Sequence, residues 1–379
     1  MTATATAESS VPTRVPRERT QSLNDVRAFI PESCFHRSTA RGIAAVAQAL
    51  VLWLAPVVAL AFTDRWWAVG LLWIAAGLGV SGMFVIGHDA SHGALVESRG
   101  LGLFLARLCM APSAHVESAW DLGHNRIHHG YTTREGFDFV WHPVTVEQYQ
   151  SMGRLARLQH RVEWSFIGSG AYFLRSVWWQ KMWRFTAPGK RHADILREKI
   201  VLGSISVIAL AGAAVLGAFT GGLLGAIWMP VKLFVVPCLI FMHVMGWAVY
   251  VHHVGVDIKW WQRKDWTQFH GQMDSTTILH LPRLINRLWF HNIMVHVPHH
   301  VDTRIPFTQL PAAAKALQAA YPDTVRSAKY SSREYLRTTR ACKLYDFEAG
   351  QWLPYSAARS LRPDNHHGAV SMAGDLLGD

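Results

Sequence analysis

Residues 290–300 read Phe-His-Asn-Ile-Met-Val-His-Val-Pro-His-His, with four histidines in eleven positions and no charged side chain among them. That composition is one of metal ligands, and imidazole suits iron, copper, zinc or nickel. The core of the stretch is His296-x-x-His299-His300. A second stretch answers it, His124-x-x-x-His128-His129, and a third, His88-x-x-x-His92, precedes both. With 21 histidines in 379 residues, a His-x-x-His-His pattern is expected by chance roughly 0.06 times. One of each triple box is therefore a signal, whereas a lone His-x-x-x-His is not.

On a helix His88 and His92 stand one turn apart on one face, and so do His124 and His128; His129 is then turned by about 100°. Eight imidazoles packed together cannot all be protonated, because like charges raise one another's energy. Neutral rings around metal resolve that conflict, and so many nitrogens suit two metals better than one. No His-Glu-x-x-His and no Glu-x-x-His occurs, which removes the zincin pattern and the carboxylate di-iron bundle pattern. A redox-active pair fed with apolar substrate from a bilayer points to oxygen activation.

The elements that position these boxes are membrane elements. Half the residues are hydrophobic, with 17 Trp and 17 Phe and only 17% charged, which is too apolar for a soluble chain of this length. The net charge of +11 fits a nucleic-acid binder or a membrane protein with a basic cytoplasmic face, and the apolar runs exclude the nucleic acid. The uncharged stretches 43–62 and 67–86 are each long enough to span. So are 200–220 and 230–251, separated by glycines near 221–225. Residues 101–112 are too short to span, and 164–183 have the aromatic and basic look of helices in the headgroup layer. Cys34, Cys109, Cys238 and Cys342 form no pair motif, so neither a disulfide nor a zinc site is expected.

Four spans with the N-terminus inside leave only Arg65 and Lys232, of 37 Lys and Arg, on the far side. The expectation is an all-α integral membrane protein in which every box emerges on the cytoplasmic face. Residues 1–40 form a basic, largely disordered tail, 41–355 the membrane domain, and 356–379 a polar C-terminal tail. Lys232 snorkels at the non-cytoplasmic end.

His88-Asp89-Ala90-Ser91-His92, His124-Asn125-Arg126-Ile127-His128-His129 and His296-Val297-Pro298-His299-His300 resemble the three histidine boxes of the membrane fatty acid desaturases. Gly87, Thr132-Thr133, Asp138 to Val144, Phe290-His291-Asn292-Ile293 and Cys342 to Asp346 agree with it. The resemblance covers roughly residues 40–355 and is greatest to the delta-12/omega-6 acyl-lipid desaturases of bacteria and plastids. Box one has three intervening residues and box three begins with His, both as in that branch; box two carries one residue more than the family's commonest form.

The resemblance implies four transmembrane helices and a cytoplasmic helical cap holding two iron ions. Their ligands are His88, His92, His124, His128, His129, His296, His299 and His300, and a ninth after the fourth span, His253, with His252 as the fallback. Asp89, Asn125, Asp138 and Asn292 are the candidates for orienting imidazoles through their other ring nitrogen. The implied reaction is dioxygen-dependent desaturation of an acyl chain in a membrane lipid. An external carrier, a ferredoxin or a similar acidic protein, supplies the electrons, because His142-Pro143 lacks the glycines of a fused cytochrome b5 module. The implied location is a bacterial cytoplasmic membrane, with the site and both termini inside. Hydroxylation, acetylenic bond formation, or attack on a sphingoid or carotenoid chain are the alternatives at the same site. A metal transporter or haem-binding electron carrier needs ligands in mid-membrane, which the clustering at one face does not provide.

Overall fold

The computed structural model describes residues 22–360. The expectations for residues 1–21 and for the tail beyond residue 360 lie outside the described residues. Among the described residues, three helical stretches are long and apolar enough to cross a membrane: Thr39–Ala61, Trp66–Ser91 and Lys190–His253. The first two are joined by a four-residue connection, residues 62–65. They pack so closely that a Cβ on Gly79 would stand 2.6 Å from the backbone of Leu52 and Trp53.

The third stretch has 64 residues, about 96 Å if it were straight, three times the thickness of a hydrocarbon core. It is not straight. Gly221 and Gly222 leave the helical region, Gly222 with φ of 59°, a conformation that glycine adopts at no steric cost. The chain turns back on itself there: a Cβ on Gly217 would lie 2.0 Å from the carbonyl oxygen of Gly225, and Ala213 and Met229 share one buried cluster. Two apolar segments therefore run side by side within the one stretch.

Lys232 does not reach for solvent. Its side chain is 1% exposed and its Nζ lies 2.8 Å from Oδ1 of Asp64. A charge buried in an apolar layer needs such a partner, and Asp64 supplies it from the connection between the first two helices. Trp73 Nε1 donates to the carbonyl of Lys232. The Asp64 turn and the start of the last apolar segment thus lie at one end of the bundle. His88 and His92, closing the helix that begins at Trp66, and His253, closing the helix Val236–His253, lie at the other.

Short helices make up much of the rest, including Arg154–Glu163 and Ser332–Ala341; Arg99–Met110 packs on the helix that carries box one and Leu310–Ala320 on the helix that carries box three. Two small ladders interrupt the all-helical expectation: Thr277–His280 pairs in parallel with Arg326–Lys329, and Leu344–Asp346 antiparallel with Gln351–Leu353. The main buried cluster runs from Val80 and Phe84 through Trp120, Trp141 and Tyr172 to Phe241 and Tyr250, joining the apolar helices to the shorter ones. The segment from Ser22, within the expected tail, has a place in the fold. Leu23, Val26, Phe29 and Ile30 bury against Val297, Val301 and Leu310, and Arg27 pairs with Asp302 at 3.1 Å. It braces the helix that carries box three.

Candidate metal centre

The structure sorts nine histidines into two groups. His88, His92, His124, His129 and His299 bring one nitrogen each to within 4.8 Å of one another, and so do His128, His253, His296 and His300. All nine residues implied as ligands are in one group or the other. Each triple box divides: His299 leaves His296 and His300, and His128 leaves its neighbours on either side.

The division of box two corrects the expectation that His124 and His128 share a face. Residues Asp121–His128 form a π-helix, in which His129 N–H donates to the carbonyl of His124 at 3.0 Å. The extra residue per turn aligns positions five apart instead of four. His124 and His129 therefore meet in the group of five, and His128 points to the group of four. Box three is an α-helix, His296–Val301, so His296 and His300 align by the ordinary rule.

Hydrogen bonds fix the tautomers in the group of four. His128 Nδ1 donates to Asp138, whose oxygens lie 3.0 and 3.1 Å away. Asp138 also accepts from the backbone N–H of Thr133 and Val140. His253 Nδ1 donates to the carbonyl of Ser275 at 3.2 Å and His296 Nδ1 to that of Ile293 at 3.2 Å. His300 Nδ1 donates to Gln272 Oε1 at 2.7 Å; the amide is held that way round because its Nε2 donates to the carbonyl of His129. Every Nδ1 in this group carries its proton outward, so in the neutral rings every Nε2 is a lone pair directed inward.

This is the arrangement a cation requires. His296 Nε2 and His300 Nε2 stand 2.9 Å apart with no proton to share. Metal–nitrogen bonds of about 2.0–2.1 Å at a right angle put two nitrogens about 3 Å apart. In the group of five, His124 Nε2 lies 2.9 Å from His88 Nε2 and 3.2 Å from His129 Nε2. Both nitrogens of His299 are buried without a partner among the described residues, and so is Nε2 of His92. Buried polar atoms are ordinarily paired, so the donor set fits a metal in each group. Burial first, and then the neighbouring imidazoles, hold His124, His129, His296, His299 and His300 well below the ordinary histidine pKa. The rings stay neutral, which is the ligating form.

The two groups differ in support. Nδ1 of His88, His129 and His299 in the group of five finds no acceptor among the described residues, whereas all four outer nitrogens in the group of four do. Trp120 stacks on His124 at 4.3 Å and holds that ring by contact alone.

Of the four polar residues named from the sequence, Asp138 touches an imidazole. Asp89 accepts from the N–H of Phe307, Asn125 donates to Ser91 and Asp121, and Asn292 joins Asn286 to the carbonyl of Phe307. None of these three bonds a ring nitrogen. His252 stacks on His296 at 3.9 Å but belongs to neither group. Gln272 and Ser275, which do hold imidazoles of the group of four, lie far from any box in sequence. Nothing in residue type or spacing marks them.

The family model described as fatty acid desaturase matches residues 64–331, a segment that contains all nine histidines. The chain is 27% identical over 329 residues to the sn-1 oleoyl-lipid 12-desaturase of Synechocystis, covering 86% of this chain and 90% of that one. It is 27% identical over 336 residues to the sn-1 oleoyl-lipid 12-desaturase of Anabaena variabilis, covering 86% and 91%. To the chloroplastic omega-6 fatty acid desaturase of Glycine max it is 27% identical over 285 residues, covering 75% and 64%. The chain belongs to the fatty acid desaturase family and is an oxidoreductase.

Proposed function

We propose that this chain inserts a cis double bond of the delta-12/omega-6 type into a monounsaturated acyl chain of a membrane lipid, at a centre of two irons held by the nine histidines. The observation that carries this reading is the division into five and four imidazoles, each group closed around its own point. The names of the relatives support the position and the lipid-bound substrate. The overall change takes dioxygen, two electrons, two protons and a –CH2–CH2– unit to –CH=CH– and two waters. When bound, the irons supply the dioxygen reduction and the removal of two hydrogens from unactivated methylenes.

The protein's own part is placement and exclusion. Asp138, Gln272 and the carbonyls of Ser275 and Ile293 keep four rings turned inward with their protons outward. Trp120, Phe84 and Phe241 pack edge to face beside the group of five, keeping water from the side that faces the apolar helices. Small misplacements of a methylene cost heavily in rate, and a chain already bent by one double bond registers differently from a straight one.

The same reading assigns four spans, about 43–62, 67–86, 200–220 and 230–251. The Gly221–Gly222 turn and the Asp64–Lys232 pair support a common non-cytoplasmic end, and the distribution of Lys and Arg supports a cytoplasmic site. The domain limits remain 1–40, 41–355 and 356–379, and the membrane is a bacterial cytoplasmic membrane. Electrons come from an external acidic carrier of the ferredoxin kind.

Expression in a host that makes oleoyl lipids but no dienes tests the reading. A dienoyl lipid that depends on oxygen and disappears with His299→Ala is expected. A hydroxy acid, or a first double bond in saturated chains, contradicts it.

A further inference from the structure

The loop that follows the last apolar helix carries three tryptophans, of which Trp260 is buried and Trp261 and Trp266 are half-buried. Each of the half-buried two is hydrogen-bonded to a residue that touches the group of four. Trp261 Nε1 donates to Ser275 Oγ at 3.1 Å, and the carbonyl of Ser275 accepts from His253 Nδ1. Trp266 Nε1 donates to the carbonyl of Thr132 at 2.9 Å. Thr132 Oγ1 donates to the carbonyl of His128 at 2.7 Å and lies 3.2 Å from His300 Nδ1. A third connection runs through the backbone: Trp261 N–H donates to Thr133, Thr133 N–H to Asp138, and Asp138 accepts from His128. Trp120, the indole beside the group of five, is 6% exposed and its Nε1 has no hydrogen-bond partner among the described residues.

The outer side of this loop is built for contact. Arg134 lies over the rings of Phe137, Tyr131 and Trp266 at 4.4, 5.1 and 5.4 Å, a cation–π arrangement that fixes the aromatic face. Trp261 stacks on His270 at 4.1 Å. Lys259, Arg263 and Lys264 are exposed around the indoles, and Asp257 and Asp265 flank them. A cationic rim around half-buried aromatic residues suits a partner with an acidic patch beside its reactive group, and the two acids restrict how that patch can seat.

We propose that a soluble, acidic one-electron carrier docks on the Trp261–Trp266 loop, and that electrons enter there and pass to His253, His128 and His300. The proposal rests on the reading of the histidine groups as a metal centre reduced from outside. Covalent and hydrogen bonds couple donor and acceptor better than a gap of equal length, and these are the bonded routes from the half-buried indoles to the ligands. Each encounter would oxidise the carrier by one electron, and a metal held by His128, His253, His296 and His300 would take that electron up. Two encounters supply the two electrons that the desaturation consumes.

The test uses the metal-loaded protein without lipid or oxygen, mixed with a reduced plant-type iron–sulfur ferredoxin, and follows oxidation of the ferredoxin. Metal content and reduction by dithionite are measured beside it. Trp261→Phe breaks the first route while leaving the bond between the Ser275 carbonyl and His253. It is expected to slow ferredoxin oxidation several-fold, and Trp261→Phe with Trp266→Phe more, with metal content and dithionite reduction unchanged. Wild-type rates in the double variant overturn the proposal. Should that variant lose metal, Lys264→Glu, on an exposed residue, keeps the test: slower ferredoxin oxidation is expected, and an unchanged rate overturns the docking site. If the unaltered protein holds metal but takes electrons from neither reductant, the metal-centre reading itself falls, and the proposal with it.

Discussion

Asp138 and His128 form a buried pair in which one carboxylate, 0% exposed, takes the outward proton of one imidazole. Ten residues separate them in the chain, and the turn between them closes through Thr133 N–H on the same carboxylate. The pair makes His128 a stronger base toward a metal and fixes its tautomer.

Asp138→Asn keeps the shape and can still offer an oxygen to His128 Nδ1, but loses the charge. Metal affinity at the group of four is expected to drop about 10–100-fold, with the group of five unaffected. Chelator competition, read as metal per chain, distinguishes one weakened site from two. A group of four that gives up its metal no sooner than in the unaltered protein removes Asp138 from this role.

The π-helix of box two makes a sharper prediction. A π-turn accommodates one extra residue in an α-helix while the flanks stay in place. Deleting Arg126, which is exposed, leaves His124-x-x-His-His, and an α-helix then aligns the first and last of these. The same two-way division is restored, so the deletion is expected to keep both metals. Inserting an alanine between Arg126 and Ile127 is expected to lose at least one. Loss of both metals on deletion contradicts the structural role given to the π-helix.

Much of the site was legible in the sequence because metal ligation demands many histidines at short spacing, and few other pressures do. The second apolar helix and its box were legible for the same reason that spans are: twenty uncharged residues admit few other fates. The partition of box two was not, since spacing read with the α-helical period puts His128 with His124. The bonds from Gln272 and Ser275 were not legible either, because they depend on where a distant loop comes to rest. Asp89, Asn125 and Asn292 adjoin boxes, yet their side chains turn to neighbouring loops and backbone. Adjacency in sequence marks the neighbourhood of a ligand, not the atom that holds it.

Glu117 gives the pH prediction. It is 4% exposed and accepts from Ser91 Oγ at 2.9 Å, with Arg107 at 3.8 Å. Burial pushes its carboxyl up to about 7. The folded protein therefore binds more protons than the unfolded chain between about pH 4.5 and 7, and stability falls as pH rises through that window, by up to about 3 kcal/mol. Glu117→Gln is expected to flatten this dependence in melting curves taken from pH 5 to 8. A parallel dependence in the variant shows that the slope arises elsewhere.

Reporter fusions at residues 64 and 225 are expected to report the non-cytoplasmic side, and fusions at residues 30, 150 and 310 the cytoplasm. A non-cytoplasmic signal at residue 150 separates box two from the others by a membrane and contradicts the topology.

The most direct measurement is the metal bound per chain in protein purified from cells, by identity and number, beside the His128→Ala, His299→Ala and His280→Ala variants. Two irons in the unaltered protein are predicted. One iron should be lost from the group of four in His128→Ala and one from the group of five in His299→Ala. His280→Ala, at an exposed residue bonded to Ser327, should lose none. Active protein carrying a single zinc at full occupancy contradicts the account.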